Sequence, residues 1–262
     1  MKVELNGKTL LYGSGGGSVE RADDNLLFVH GAGFDHAVWT PMARYFARQG
    51  ARVIAPDLPG HGGSEGPALQ TIEAMADLMS RLLEQLAVPR ATVVGHSMGT
   101  LVALAMAHRC PQQVQRMVLL GTSNPMPVGP PLLAAAADGH PAAIEMANTF
   151  SHSHRGRLGA SAFPGMHSFH AAQRWMEHLN AGVFHADLAA CNNFEQKIEN
   201  CQIPTLILVG QADRMTTAQA GEAVAAQLGN ARVVHLHGCG HAMLTEQPDE
   251  VLDAVSSFVL RQ

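Results

Sequence analysis

Four cysteines in 262 residues are few, and Cys110, Cys191, Cys201 and Cys239 show neither a C-x-x-C pair nor a zinc-ligand spacing. A chain of this length buries a full core without staples, so reduced thiols are expected. No stretch reaches the roughly 18 uninterrupted apolar residues of a membrane span. The opening Met1–Gly7 lacks the apolar region of a signal peptide, which points to the cytoplasm. Charge of one sign is also scarce. The formal net charge is −5, and no basic block or polybasic stripe suits nucleic acid or an anionic membrane. The remaining partner class is a small molecule, taken up by a monomer or homodimer.

What is present is an alternation of short apolar runs and helical patterns. Asn6-Gly7 sits between two extended runs within Val3–Tyr12 and predicts a hairpin. Leu26–Val29, Arg52–Ala55, Thr92–Val94, Val114–Leu120, Thr205–Val209 and Arg232–Leu236 are predicted strands. Between them, Thr40–Arg48, Ile72–Leu86, Met98–His108, Ala218–Leu228 and Asp249–Leu260 are predicted helices. Such an order predicts an α/β fold, a mostly parallel sheet with helices on both faces. The rhythm stops after Asn124 and resumes near residue 200. Residues 125–200 are therefore read as an inserted helical cap on a core of 1–124 and 201–262.

The chemistry gathers after strand ends. Gly95-His96-Ser97-Met98-Gly99 lies between a strand and a helix, the setting in which G-x-S-x-G presents a nucleophile. A serine hydroxyl needs a neighbouring base, and that base needs an orienting group. His241, in Gly238-Cys239-Gly240-His241-Ala242, follows the last strand, and Asp213 follows the strand before it. Both loops leave the sheet edge that carries Ser97. The alternative for Ser97 is a simple helix N-cap; for Asp213 it is a turn residue. His96 is read as a packing or hydrogen-bonding residue. His30-Gly31-Ala32-Gly33 offers bare backbone N–H groups, so Ala32, with Gly33 as fallback, joins Met98 as donor to an oxyanion.

These residues resemble the α/β-hydrolase family over nearly the whole chain apart from the cap. His30–Gly33 is similar to its oxyanion loop, and Asp57–Ser64 to the turn after the next strand. Gly95–Gly99 is similar to the nucleophile elbow and Gly210–Asp213 to the acid turn; Gly240-His241, with Glu246 and Pro248, is similar to the histidine loop. The resemblance implies that His61 and Ser64 are structural turn residues. The cap's His152, His154, His167 and His170 could meet a metal, but no third ligand is placed beside them, so neither metal nor cofactor is expected. Ser97 argues against the dehalogenase and epoxide-hydrolase branches, which use aspartate. Ala32-Gly33-Phe34-Asp35 lacks the proline expected of perhydrolase-like members. A carboxylesterase acting through an acyl-enzyme on small to medium apolar esters is the expected activity. A lactonase or a meta-cleavage-type carbon–carbon hydrolase also fits. A non-catalytic receptor is the alternative from another class. Phe34, Phe169, Trp175 and Met243 are the expected pocket residues, and Phe163 and Met166 line either the pocket or the cap's own core.

Overall fold

The computed structural model describes residues 1–16, 24–160, 167–199 and 201–260. It has one eight-stranded sheet of order β1-β2-β4-β3-β5-β6-β7-β8. Strands β1 (Lys2–Leu5) and β2 (Lys8–Gly13) form the expected hairpin. Asn6 and Gly7 have φ of 54° and 74°, the turn that matches strand twist. β2 pairs antiparallel with β4 (Arg52–Pro56). The strands β3 (Asn25–Val29), β5 (Ala91–His96), β6 (Val114–Leu120), β7 (Thr205–Gly210) and β8 (Ala231–Leu236) are parallel, as is the β3–β4 pairing.

Side chains alternate across a strand, and the sheet uses both faces. Leu27, Val29 and Val93 pack with Met75 and Met79 of α2 (Ile72–Gln85) and Leu101 of α3 (Met98–Arg109). Leu26, Phe28 and Val94 pack on the other face, with Phe46 of α1 (Thr40–Arg48) and Val251 and Val255 of α11 (Pro248–Val259). Burial on both faces is why these strands read as continuous apolar runs. β5 runs two residues past its predicted end, because Gly95 and His96 still pair with Leu119 and Leu120. The elbow therefore begins directly where the ladder stops. α3 is buried from Met98 to Ala107. Its all-round apolar sequence is that of a helix enclosed on every side.

Between β6 and β7 the chain leaves the sheet through α4 (Pro130–Ala137), α5 (Ala142–Ser151), α6 (His154–Arg157), α7 (Ser168–Met176) and α8 (Val183–Asn193). After β7 follow α9 (Ala218–Gln227), β8, α10 (Met243–Glu246) and α11. Phe163 and Met166 lie outside the described residues. The four cysteines are unpaired. Among the described residues, no helix is long and apolar enough to cross a membrane.

Candidate active site

The site begins with the turn between β5 and α3. Ser97 has φ 52° and ψ −120°, a conformation that L residues rarely adopt. Two close backbone approaches fix the turn. A Cβ at Gly95 would lie 2.2 Å from Gly99 O, and one at Gly99 would lie 2.2 Å from Val29 O. The Ser97 N–H donates to Leu120 O at 2.9 Å. The Ser97 side chain makes no capping hydrogen bond to α3. A serine present only as a helix cap would make one, so the hydroxyl is left for another use.

Asp213 stands in the turn after β7 and is held by four donors. Met215 and Thr216 N–H groups donate to Oδ1 at 2.8 and 2.9 Å, and Thr216 Oγ1 donates to Oδ2 at 2.9 Å. The fourth is His241 Nδ1, which donates to Oδ2 at 2.8 Å. Burial pushes the Asp213 carboxyl up, but the neighbouring His241 ring and these hydrogen bonds hold it below its ordinary value. With Nδ1 occupied, His241 carries its lone pair on Nε2. That atom is buried and has no hydrogen-bond partner among the described residues. Ser97 and His241 line the same cavity.

The two loops meet because both are stripped of side chains at the contact. A Cβ at Gly210 would lie 2.6 Å from the carbonyls of Cys239 and Gly240. Glu246 closes the histidine loop, accepting from Gly240 N at 3.1 Å and Ser153 N at 2.8 Å. Sequence reasoning missed two neighbours of His241. Thr216 Oγ1 lies 3.1 Å from Nδ1, and a Cβ at Gly121 would stand 2.9 Å from the same atom. Gly121 follows β6 directly, and that strand-end position was its available signal.

His96 is the packing residue expected. Its ring lies 4.9 Å from that of His241, and its Nε2 donates to His241 O at 2.9 Å. In the candidate oxyanion loop after β3, the Gly33 N–H donates to Asp187 Oδ2 at 2.9 Å. Gly33 is thereby committed elsewhere, and Ala32 lines the cavity. His30 is neutral: its Nδ1 donates to Gly31 O at 2.9 Å and its Nε2 accepts from Leu58 N at 3.1 Å. His61 and Ser64 hold the turn after β4. Ser64 Oγ bridges Asp57 O and Leu11 N, and His61 Nε2 donates to Asp187 at 2.9 Å.

Residues 24–248 match the family described as alpha/beta hydrolase fold. The chain is an α/β hydrolase. It is 31% identical over 253 residues to the pimeloyl-[acyl-carrier protein] methyl ester esterase of Aromatoleum aromaticum, covering 90% of this chain and 98% of that protein. Among solved structures, a hydrolase from Pseudomonas aeruginosa aligns with TM-score 0.80 and 27% identity, covering 98% of this chain and 97% of that one. The enol-lactonase from Burkholderia xenovorans aligns with TM-score 0.88 at 23% identity, each chain covered in full.

The hydrolase's cavity has a volume of about 870 Å³. Ala32, Phe34, Ser97 and His241 meet it from the core loops, and Leu132, Met146, Trp175 and Phe184 from the inserted helices. Trp175 is fixed by an edge contact with Phe34 at 5.9 Å and by donation from its Nε1 to Asp35 at 3.0 Å. Two expected pocket residues do not line the cavity. Met243 is fully buried in the core beneath the sheet, because α10 turns it inward. Phe169 packs beside His152 and His170, at 5.4 and 5.6 Å between rings. Asp35, His36 and Asp57 cluster closely enough to suggest a cation site. Their oxygens already accept from the Ala37, His36, Gly63 and Trp175 N–H groups and from the His36 ring, a donor set that leaves a cation little to bind.

The buried histidines predict acid lability. Burial and then the neighbouring His61 bring His30 down to about 3, and burial and then His241 bring His96 down to about 4. His152 is lowered too, chiefly by burial. Between those values and the ordinary 6.5, the unfolded chain binds more protons than the folded one, so stability falls with falling pH. Two histidines are shifted the other way. The hydrogen bond to Asp57 raises His36; burial pulls His61 down, but Asp187 outweighs it and raises it. Their contributions are complete below pH 6.5 and decline only as pH rises through the raised values, so they do not offset the acid slope. We expect Tm to drop from pH 6.5 to 4. His96→Gln should remove about 3 kcal/mol of the destabilisation reached at pH 4, and so flatten the slope. Equal slopes for the two proteins would refute the assignment.

Proposed function

We propose that this hydrolase is a serine carboxylesterase acting on small to medium apolar esters through an acyl-enzyme. The observation that carries this reading is His241, whose Nδ1 is held by Asp213 while its Nε2 is unpartnered in the cavity wall that includes Ser97. Apo catalytic pairs are often loosely aligned and tighten with substrate. Ser97 Oγ attacks the ester carbonyl as its proton passes to Nε2. The oxygen that becomes negative takes hydrogen bonds from the Ala32 and Met98 N–H groups, and the N-terminal end of α3 adds favourable potential. Collapse breaks the bond to the alcohol, which leaves with the proton from Nε2. Water then repeats the sequence, giving its proton to Nε2 and releasing the acid from Ser97.

An ester is favoured because the Aromatoleum relative is named for ester cleavage and aligns over nearly its whole length. The apolar wall of the cavity suits an acyl chain. Residues 125–200 act as a cap, since α4, α5, α7 and α8 supply much of that wall. Labelling by a fluorophosphonate and turnover of p-nitrophenyl esters from acetate to decanoate test the reading. Labelling without ester turnover, together with cleavage of a vinylogous diketone, would move the function to carbon–carbon hydrolysis. Absence of labelling would favour a receptor.

The same panel tests the pocket. Trp175→Ala enlarges the cavity and should move the kcat/KM optimum to longer acyl chains. Neighbouring lengths should be separated by only about 1–3 kcal/mol. Phe169→Ala, off the cavity wall, should leave the profile in place. A shift in Phe169→Ala with none in Trp175→Ala would contradict the cavity assignment.

A further inference from the structure

We propose that Asp187, on cap helix α8, is a positioning residue that holds the oxyanion loop in register with Ser97. The proposal rests on the reading of Ala32 as an oxyanion donor.

Asp187 is fully buried. A single oxygen, Oδ2, accepts from Gly33 N and from His61 Nε2, both at 2.9 Å. Gly33 is the residue next to Ala32. From the cap side the loop also meets Trp175, through Phe34 and Asp35, and apolar side chains against Gly33, but none of these bonds a loop N–H. Gly31 and Gly33 have no side chains, and Gly33 takes φ 73° with Met176, Phe184 and Leu179 already 3.1–3.2 Å from where a Cβ would sit. Those side chains close over the glycine, and hydrogen bonds set the direction of the peptide groups on either side of it. Besides the Asp187 bond these include a 3.3 Å turn bond from Phe34 N to Gly31 O and the His30 ring bond to Gly31 O.

His61 makes the anchor rigid. Its Nε2 faces Asp187 and its Nδ1 faces Pro59 O at 3.2 Å. Two acceptors require a proton on each ring nitrogen, so the ring is an imidazolium paired to a carboxylate. The pair ties α8 to the turn after β4, and the Gly33 bond ties both to the oxyanion loop. The other oxygen, Oδ1, is buried without a partner among the described residues. The placement is explained by what Oδ2 holds.

A small displacement of an oxyanion donor is costly in rate, on the order of a hundredfold per ångström. The variants are Asp187→Ala, Asp187→Glu and Asp187→Asn. Each is titrated with a fluorophosphonate, so that kcat refers to reacted sites and not to total protein. Asp187→Ala should lose about 10- to 100-fold in kcat, with KM changed less than about threefold. Asp187→Asn keeps an acceptor oxygen for Gly33 and should recover kcat to within about fivefold of wild type. Asp187→Glu keeps the charge but displaces the carboxylate by a methylene, and should lose about tenfold in kcat. It keeps the experiment decisive if the alanine variant does not fold. A trifluoromethyl ketone, which forms a tetrahedral adduct, should weaken in parallel with kcat. A purely structural acid would lower Tm and the labelled fraction while leaving kcat per site intact. Unchanged kcat per site in Asp187→Glu, or in a folded Asp187→Ala, overturns the proposal. Wild-type protein that neither labels nor turns over esters would overturn the esterase reading, and this one with it.

Discussion

Ser97→Ala is expected to lower ester turnover by at least about 10⁴-fold while the fold survives. Two features make the variant informative. The hydroxyl makes no capping bond, so its removal takes nothing from α3. Alanine meets the same strain at φ 52° as serine, so the backbone cost is unchanged. Residual rate would come from binding and from the Ala32 and Met98 N–H groups. The measurement is kcat/KM on the best p-nitrophenyl ester, with Tm beside it. A folded variant retaining wild-type turnover would place the nucleophile elsewhere.

Asp213→Asn should cost nearly as much, up to about 10⁴-fold. The geometry dictates how the new amide sits. The Met215 and Thr216 N–H groups both donate to Oδ1, so the asparagine oxygen must take that place. Its NH2 then occupies the site of Oδ2, facing His241 Nδ1. An NH2 can only donate there, so His241 must accept on Nδ1 and move its proton to Nε2. In that tautomer the base cannot take the Ser97 proton. The loss should appear in kcat, with the labelling rate falling in step and Tm little altered. A loss smaller than about tenfold would show that another group orients the base.

Much of the fold was legible because its signals are local. Val114–Leu120 and Thr40–Arg48 begin and end where the sequence predicted. The candidate site residues Ser97, Asp213 and His241 could be picked from the sequence because each follows the end of a strand. What escaped was set by contacts between distant segments. Asp187 is 154 residues from Gly33 and 126 from His61, and nothing around it in α8 marks it out. Thr216 lies only three residues after Asp213, yet its role follows from where the loop brings its hydroxyl. Met243 and Phe169 do not line the cavity, because a residue's place in the sequence does not say which way its helix faces.

The backbone at residue 97 has one further consequence. At φ 52° and ψ −120°, the residue that the chain itself would accept most readily is glycine. Foldedness and chemistry thus ask for different amino acids at one position. Mutational pressure acting on stability alone would drift toward glycine and leave behind a well-folded, silent scaffold. On the proposed reading of Ser97 as the nucleophile, a serine here is what selection for activity would retain against that drift.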